Sequence, residues 1–286
     1  MEGVIGTIVD ALMLSSIYIL VSVGFALVLS IIGILNFAHG ALYMIGGYVC
    51  YWLSVQCGLN QWLSLLLSAL ALGLAGLFLE RFCFRPLAGD PNRTIIMAIA
   101  LILVLETTIN VLAGGVTRTI SPFVPGILKA GAISVSLERV ATMIMGGGLL
   151  LGLTLFIEKT KTGQQMLAVS QDPEGAILQG IRIHRVSALA VAMSCALAAV
   201  AGSFMGAIFD LKPFMGGPML VKAIQVVVLS GVGSIGGVLA GGLIIGTIDT
   251  VLPLFAGGAV TQAVGLGIII VLLLLKPQGL FGREVA

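Results

Sequence analysis

The segment EKTKTGQQMLAVSQDPEGAILQGIRIHR, from Glu158 to Arg185, is a polar break of 28 residues in an otherwise apolar sequence. It contains four basic side chains, three acidic ones and His184, so its basic excess is a single charge. Apolar runs of about 20 residues, the length that crosses a bilayer, lie directly before and after it. Basic residues at such flanks favour the cytoplasmic side of a membrane. The break therefore predicts a cytoplasmic loop at about 158–185 that is available to a soluble partner.

The overall composition indicates a membrane protein. Hydrophobic residues make up 59% of the 286 residues, and charged residues make up 9%. Soluble domains carry about 25% charged residues. Because lipid offers no partners to backbone polar groups, and because the apolar runs do not alternate with polar residues, we expect α-helical spans. The predicted fold is an all-α polytopic protein with one transmembrane domain over residues 1–286. The net charge of +2 gives no indication of nucleic-acid binding.

The apolar runs predict about seven to nine transmembrane helices. We expect seven spans at about 7–31, 38–55, 62–80, 94–113, 138–157, 186–209 and 259–275. Basic residues cluster at 81–93, within 158–185 and at 276–283. Placing these clusters in the cytoplasm puts the N-terminus outside.

The remaining apolar stretch, 219–252, is interrupted by the sequence GVGSIGG at Gly231–Gly237. Its two arms of about 12 and 16 residues are short for full crossings. Broken helices at membrane depth occur where they are buried in protein or line a cavity. We therefore expect a re-entrant helix pair broken at the glycines, or two short tilted crossings. The candidate residues for a hinge or a translocation path are Gly231, Gly233, Ser234 and Gly236.

A second candidate for a hinge or a path lies in the sequence NFAHG at 36–40. Asn36 and His39 supply hydrogen-bonding groups where the first apolar run ends. They are expected to form either a junction near a translocation path or a polar turn between helices. His39 has no second His, Cys or carboxylate nearby, and the four cysteines show no paired spacing, so no metal site or cofactor is predicted.

Glu106 is the one acidic residue expected well inside a span, in the sequence LVLETTIN. An intramembrane carboxylate is a functional candidate, since its burial is costly unless it is protonated or paired. It would serve a proton-coupled carrier, or it would be a neutral group hydrogen-bonded to a neighbouring helix. Asp249 is expected at the membrane interface, near a span end, and no basic residue is expected in the middle of a span.

The sequence lacks the motifs of the common hydrolases. It contains no GxxxxGK[ST] phosphate loop and no HExxH. Ser234 follows Val232 by two residues, so the GxSxG nucleophile pattern is not met. We therefore expect no catalytic residues and no ATP hydrolysis by this chain.

Five motifs, in order along nearly the whole chain, resemble the LivH-type permease subunit of branched-chain amino-acid ABC importers. They are LNFAHGALYMIGGY at 35–48, ERFCFRPLAGDPNR at 80–93, TGQQMLAVSQDPEGAILQGI at 162–181, GVGSIGGVLAGGLIIG at 231–246 and LLKPQGLFG at 274–282. The resemblance implies that this chain lies in the bacterial inner membrane and forms half of a translocation path. It also implies four kinds of partner: a LivM-like second permease, two cytoplasmic ATPase subunits, a periplasmic substrate-binding protein and the lipid bilayer.

The resemblance implies a substrate class but does not fix the substrate. Branched-chain or related hydrophobic amino acids are expected. Relatives of such permeases also import urea and short amides, so an ABC permease for those compounds stays open as an alternative. A stand-alone proton-coupled amino-acid carrier using Glu106 is the other alternative.

The same resemblance implies that the loop at 158–185 contacts the ATPase. Ala168, Asp172, Ala176 and Gly180 recur at intervals of four residues, a spacing that places residues on one face of a helix. Asp172 followed by Pro173 fits an N-cap and a first helical position, and Gly180 fits the end of a helix. We therefore expect a coupling helix at about 173–179.

Overall fold

The computed structural model describes residues 2–33, 35–130, 133–231, 234–276 and 278–281. Its helices and its one small hairpin are α1 Glu2–Ile32, α2 His39–Tyr51, α3 Gln61–Leu79, α4 Pro91–Ala113, β1 Ile127–Ala130, β2 Ile133–Ser136, α5 Leu137–Lys159, α6 Lys161–Gln171, α7 Pro173–Leu178, α8 Ile183–Ile208, α9 Gly216–Ser230, α10 Ile235–Val251 and α11 Gly258–Leu275. The all-α polytopic fold is confirmed.

Among the described residues, six stretches are long and apolar enough to cross a membrane: Val4–Ile32, Gln61–Leu87, Pro91–Ala113, Leu137–Lys159, Ile183–Ile208 and Gly236–Leu254. The first five confirm predicted spans. The sixth is the second arm of the interrupted stretch. The first arm, Gly216–Ser230, and the predicted last span, now Val260–Leu275, are shorter apolar helices.

The predicted span at 38–55 is a short buried helix rather than a long helix that faces lipid. Its α-helical part, α2, has 13 residues, of which 11 are buried, and a π-helical turn at Trp52–Gln56 continues it. A helix buried all round lies inside a protein rather than against lipid. Helices α1 and α8 are also mostly buried, whereas most residues of α3, α4 and α5 are only partly buried or exposed. The core is therefore α1, α2 and α8, with the other long helices around it.

Small residues let α2 and α8 approach until their backbones touch. A Cβ added at Gly202 would overlap the carbonyl oxygen of Tyr43, and one added at Gly46 would overlap Ala199. The hydroxyl of Ser68 on α3 donates to the Gly46 carbonyl at 2.7 Å. In lipid, packing of this kind replaces water exclusion as the force that holds helices together.

The predicted break between two apolar arms is confirmed. Helix α9 ends at Gly231, which has φ +91°, and α10 begins after Ser234, whose hydroxyl accepts from the Gly237 N–H at 3.0 Å. The two helices pack side by side and antiparallel, with Gly241 against the Val226 carbonyl. Val232 and Gly233 lie outside the described residues.

The C-terminal segment lies against this break. The N–H groups of Leu280 and Phe281 donate to the carbonyls of Leu229 and Ser230 at 2.9 and 3.0 Å. These bonds satisfy carbonyls that the helix end leaves without partners. Because this segment follows α11 and Lys276, the break lies at the end of the bundle predicted to be cytoplasmic.

Candidate functional site

The polar segment, residues 158–185, folds into two short helices between α5 and α8. The Asp172 side chain accepts from the Gly175 N–H at 3.0 Å, and Pro173 takes the first position of α7. At the other end Gly180 has φ +78°, and the Ile181 N–H donates to the Ala176 carbonyl at 3.0 Å. A glycine of positive φ followed by such a bond is a common helix C-terminus. The helix expected at 173–179 is therefore present at 173–178.

The expectation that four residues share one helix face is wrong. Asp172 has φ −150° and ψ 95°, an extended conformation that separates α6 from α7. Ala168 lies in α6 and is half-buried, Ala176 is buried in α7, and Asp172 and Gly180 are exposed at the ends of α7. The N-cap that starts α7 breaks the helical periodicity that the four-residue spacing assumed.

The exposed surface of α7 consists of residues that the spacing argument did not select. Ile177 is 57% exposed and Leu178 is 86% exposed. They lie in the polar segment, outside the stretches that are long and apolar enough to cross a membrane. Exposed apolar groups in such a place mark interaction surfaces when they cluster. The sequence signal was the apolar pair Ile177–Leu178 just before Gly180, at the end of a short helix whose start Asp172 and Pro173 mark.

Helix α6 connects α7 to the core. The Thr160 hydroxyl accepts from the Gly163 N–H at 3.0 Å and starts α6 directly after α5. Met166 and Val169 are buried. Met166 and Ser170 line a small cleft of about 60 Å³ together with Val23, Leu27 and Ser234. The cleft thus brings the predicted hinge residue Ser234 beside the polar segment.

Replacing Gly180 with proline should disrupt the end of α7. Proline fixes φ near −65°, whereas Gly180 has φ +78°, and it removes the N–H that donates to the Ile177 carbonyl at 2.9 Å. In the ATP-driven transporter that the resemblance implies, we expect substrate-stimulated ATP hydrolysis and uptake to fall at least fivefold, with normal membrane insertion. Asparagine tolerates positive φ, so Gly180→Asn should stay within twofold of wild type. Unchanged ATP hydrolysis and uptake in Gly180→Pro would contradict a role for this helix end.

Asn36 and His39 form a buried junction between helices. His39 Nε2 lies 3.0 Å from the Val21 carbonyl, and its Nδ1 lies 3.2 Å from the Ser194 hydroxyl. The Asn36 side chain accepts from the Ala38 N–H at 3.1 Å. His39 therefore connects α1, α2 and α8. Neither residue lines a described cavity, so their positions favour the polar interhelical turn.

The four residues predicted as one hinge or path at the glycine break do not form a single group. Gly231 ends α9, Ser234 caps α10, and Gly236 is exposed, with no atom within 4 Å of an added Cβ. Gly233 lies outside the described residues.

Glu106 contacts the start of α9. Its carboxyl oxygen accepts from the Gly217 N–H at 3.1 Å. A hydrogen bond to a neighbouring helix, one of the two expectations for this residue, is therefore present. N–H groups in the first turn of a helix have no intrahelical acceptors, so Glu106 supplies one.

A large cavity lies at the opposite end of the bundle from the polar segment. Its volume is about 1300 Å³, and its walls come from α1, α2, α8, α9, α10, α11 and the loop at 209–215. Much of the wall is apolar, including Met205, Phe209, Phe214 and Leu266. A concave, mostly apolar cavity with a few polar groups is the usual form of a small-molecule site.

The cavity contains an ion pair that the sequence did not predict. Lys222 Nζ on α9 lies 2.7 Å from an Asp249 carboxylate oxygen on α10, and the two side chains are 14% and 9% exposed. The Tyr18 hydroxyl donates to the same carboxylate at 2.7 Å. Lys222 lies within the short helix α9 and Asp249 near the end of α10, and neither was expected from the sequence to pair with the other. The antiparallel pairing of α9 with α10 brings these charges together.

Comparison with known proteins identifies the family of the chain. Residues 7–275 match the family model described as branched-chain amino acid transport system / permease component. The chain is 32% identical to the high-affinity branched-chain amino acid transport system permease protein BraD of Pseudomonas aeruginosa, over 96% of this chain and 95% of BraD. It is 30% identical to the corresponding LivH of Escherichia coli, over 94% and 92% of the two chains. It is 26% identical to a probable LivH of Methanocaldococcus jannaschii, over 96% and 91%. The chain therefore belongs to the family of permease components of branched-chain amino acid transport systems.

Proposed function

We propose that this multi-pass protein forms half of the translocation path of an ATP-driven importer of branched-chain amino acids in a bacterial inner membrane. Its partners in this proposal are a second, LivM-like permease, two cytoplasmic ATPase subunits and a periplasmic substrate-binding protein. The relatives are named as branched-chain amino acid permease proteins, which supports the substrate class.

The observation that carries the proposal is the exposed apolar tip of α7. A helix of six residues is too short to be stable alone, yet this one is capped at both ends and supported by α6 and α8. It presents Ile177 and Leu178 outward. A short, supported helix with apolar residues at its tip is suited to insertion into a groove of another protein. Since the chain has no phosphate loop, we infer that the protein with the groove is the ATPase.

Co-purification tests this assignment. The chain should be tagged, expressed together with candidate second-permease, ATPase and binding-protein subunits from the same genome, and solubilised in a mild detergent. We expect both ATPase subunits and the second permease to remain bound. A complex without any ATPase under these conditions would contradict the proposal.

A carrier for urea or short amides is the nearest alternative, since the driving machinery would be the same. Calorimetry on the purified binding protein separates the two. Binding of leucine, isoleucine or valine, without binding of urea or acetamide, is the expected result.

A stand-alone proton-coupled carrier is the second alternative, and Glu106 is the observation behind it. The backbone hydrogen bond from Gly217 accounts for this carboxyl without proton transport. We therefore expect Glu106→Gln, whose amide oxygen still accepts this bond, to keep uptake within threefold of wild type. The measurement is uptake of labelled leucine by proteoliposomes. Complete loss of uptake by a correctly assembled Glu106→Gln complex would favour the proton-coupled carrier.

A further inference from the structure

Lys222, Asp249 and Tyr18 form a polar cluster in the large cavity of about 1300 Å³ described above. The cation and the anion belong to two different helices, and Tyr18 on α1 orients the carboxylate. Removing two charges from water is costly, and a buried ion pair does not stabilise a fold more than apolar packing of the same volume does. Fold stability therefore does not explain why charges occupy this place in an apolar bundle.

Two further polar groups at the same cavity have no hydrogen-bond partner. They are the Gln225 amide oxygen and the Tyr43 hydroxyl, on side chains that are 2% and 1% exposed. Buried polar atoms nearly always have partners, so two unpartnered ones on residues that line one cavity call for an explanation beyond the packing of the fold. Gln225 lies one helical turn after Lys222 on α9, and both side chains therefore occupy one face.

Helix α11 lies close to Lys222 and Gln225 at Gly265. A Cβ built at Gly265 would lie 3.6 Å from the Gln225 amide oxygen and 3.9 Å from Lys222 Nζ. The glycine thus lets the backbone of α11 lie beside these two polar side chains, where a larger residue would press on them.

We propose that this cluster is a substrate-binding station for the zwitterionic end of an amino acid. The carboxylate of the substrate would bind Lys222, its ammonium group would bind Asp249, and Gln225 would accept or donate a further hydrogen bond. The substrate's apolar side chain would lie against Met219, Phe214 and Leu266. Without substrate, the two charges neutralise each other, and the zwitterion replaces each partner with an equivalent group. This inference rests on the proposed function, because an amino acid carries both charges, whereas urea and short amides carry neither.

The test removes both charges together, so that neither is left buried alone. The complete complex carrying Lys222→Gln with Asp249→Asn should be reconstituted with its binding protein, and leucine uptake and ATP hydrolysis measured. We expect uptake to fall at least tenfold, while stimulation of ATP hydrolysis by the liganded binding protein stays within twofold of wild type. Uptake within twofold of wild type would overturn the proposal.

The chain offers a matched control in its ion pair between Arg139 and Asp10, whose side chains are 39% and 35% exposed. Arg139→Gln with Asp10→Asn makes the same charge change outside the cavity and should leave uptake within twofold of wild type. An equal loss of uptake in the control and in the cavity variant would overturn the proposal.

A third variant decides the matter if the cavity variant does not assemble. The Gln225 oxygen has no partner, so Gln225→Leu removes no hydrogen bond that this oxygen makes in the fold. We expect it to assemble and to reduce uptake at least fivefold, and unchanged uptake would overturn the proposal. The proposed function fails separately if the wild-type complex imports an uncharged compound and no amino acid.

Discussion

Aspartate in place of Leu178 should abolish most of the ATP hydrolysis that liganded binding protein stimulates in the complete transporter. Leu178 is 86% exposed at the end of α7 and has no role in the core, so the fold should not change. In the proposed complex, the Leu178 side chain is an apolar anchor buried in a groove of the ATPase. The variant would bury the carboxylate of an aspartate there instead. Loss of such an anchor costs about 2 kcal/mol or more, roughly a thirtyfold loss of affinity. We expect at least a tenfold fall in stimulated ATP hydrolysis and loss of the ATPase during purification.

The matched control for this variant is Phe255→Asp. Phe255 is 83% exposed but follows α10, at the opposite end of that helix from the glycine break. The transporter carrying Phe255→Asp should keep both ATPase subunits and a normal rate of ATP hydrolysis. Normal ATPase retention in Leu178→Asp, or equal losses in both variants, would contradict the assignment of α7 as the contact with the ATPase.

Leucine in place of Gly202 should prevent correct folding. A Cβ at this position would overlap the Tyr43 carbonyl oxygen of α2, and that atom is backbone, which cannot rotate away. Overpacking of a filled core costs about 1–3 kcal/mol and sometimes more. Here α2 and α8 would have to separate, so we expect the upper end of that range. The measurement is the yield of monodisperse protein and its melting temperature in detergent.

Gly152→Leu is the matched control for the Gly202 variant. Gly152 lies in α5, is exposed, and has no atom within 4 Å of an added Cβ. Leucine favours helices more than glycine does, so the control should melt at or above the wild-type temperature. A Gly202→Leu protein of wild-type yield and melting temperature would show that the close contact of α2 with α8 is not required.

Hydropathy predicted the long outer helices because each of them is an isolated apolar run with polar ends. Local chemistry predicted α7 because its start and its end are determined by neighbouring residues: Asp172 and Pro173 at one end and Gly180 at the other. The glycine break between α9 and α10 was predictable for the same reason. These features depend on interactions within about ten residues.

The features that the sequence did not predict depend on contacts between segments that are far apart in the chain. That α2 is buried rather than lipid-facing follows from its packing against α8, about 150 residues later in the chain, and hydropathy cannot distinguish the two environments. The pairing of Lys222 with Asp249 needs the turn at the glycine break and the antiparallel approach of α10. The four-residue interval in the polar segment was misleading because Asp172, as an N-cap, ends one helix and begins another.

Uptake of labelled leucine into proteoliposomes, with the energy source controlled, tests the proposed importer most directly. The liposomes should contain the complete complex, with liganded binding protein on one side and ATP on the other, and an uncoupler should be added. We expect uptake to require both ATP and the binding protein and to be unaffected by the uncoupler. Uptake that continues without ATP and collapses with the uncoupler would contradict an importer driven through α7.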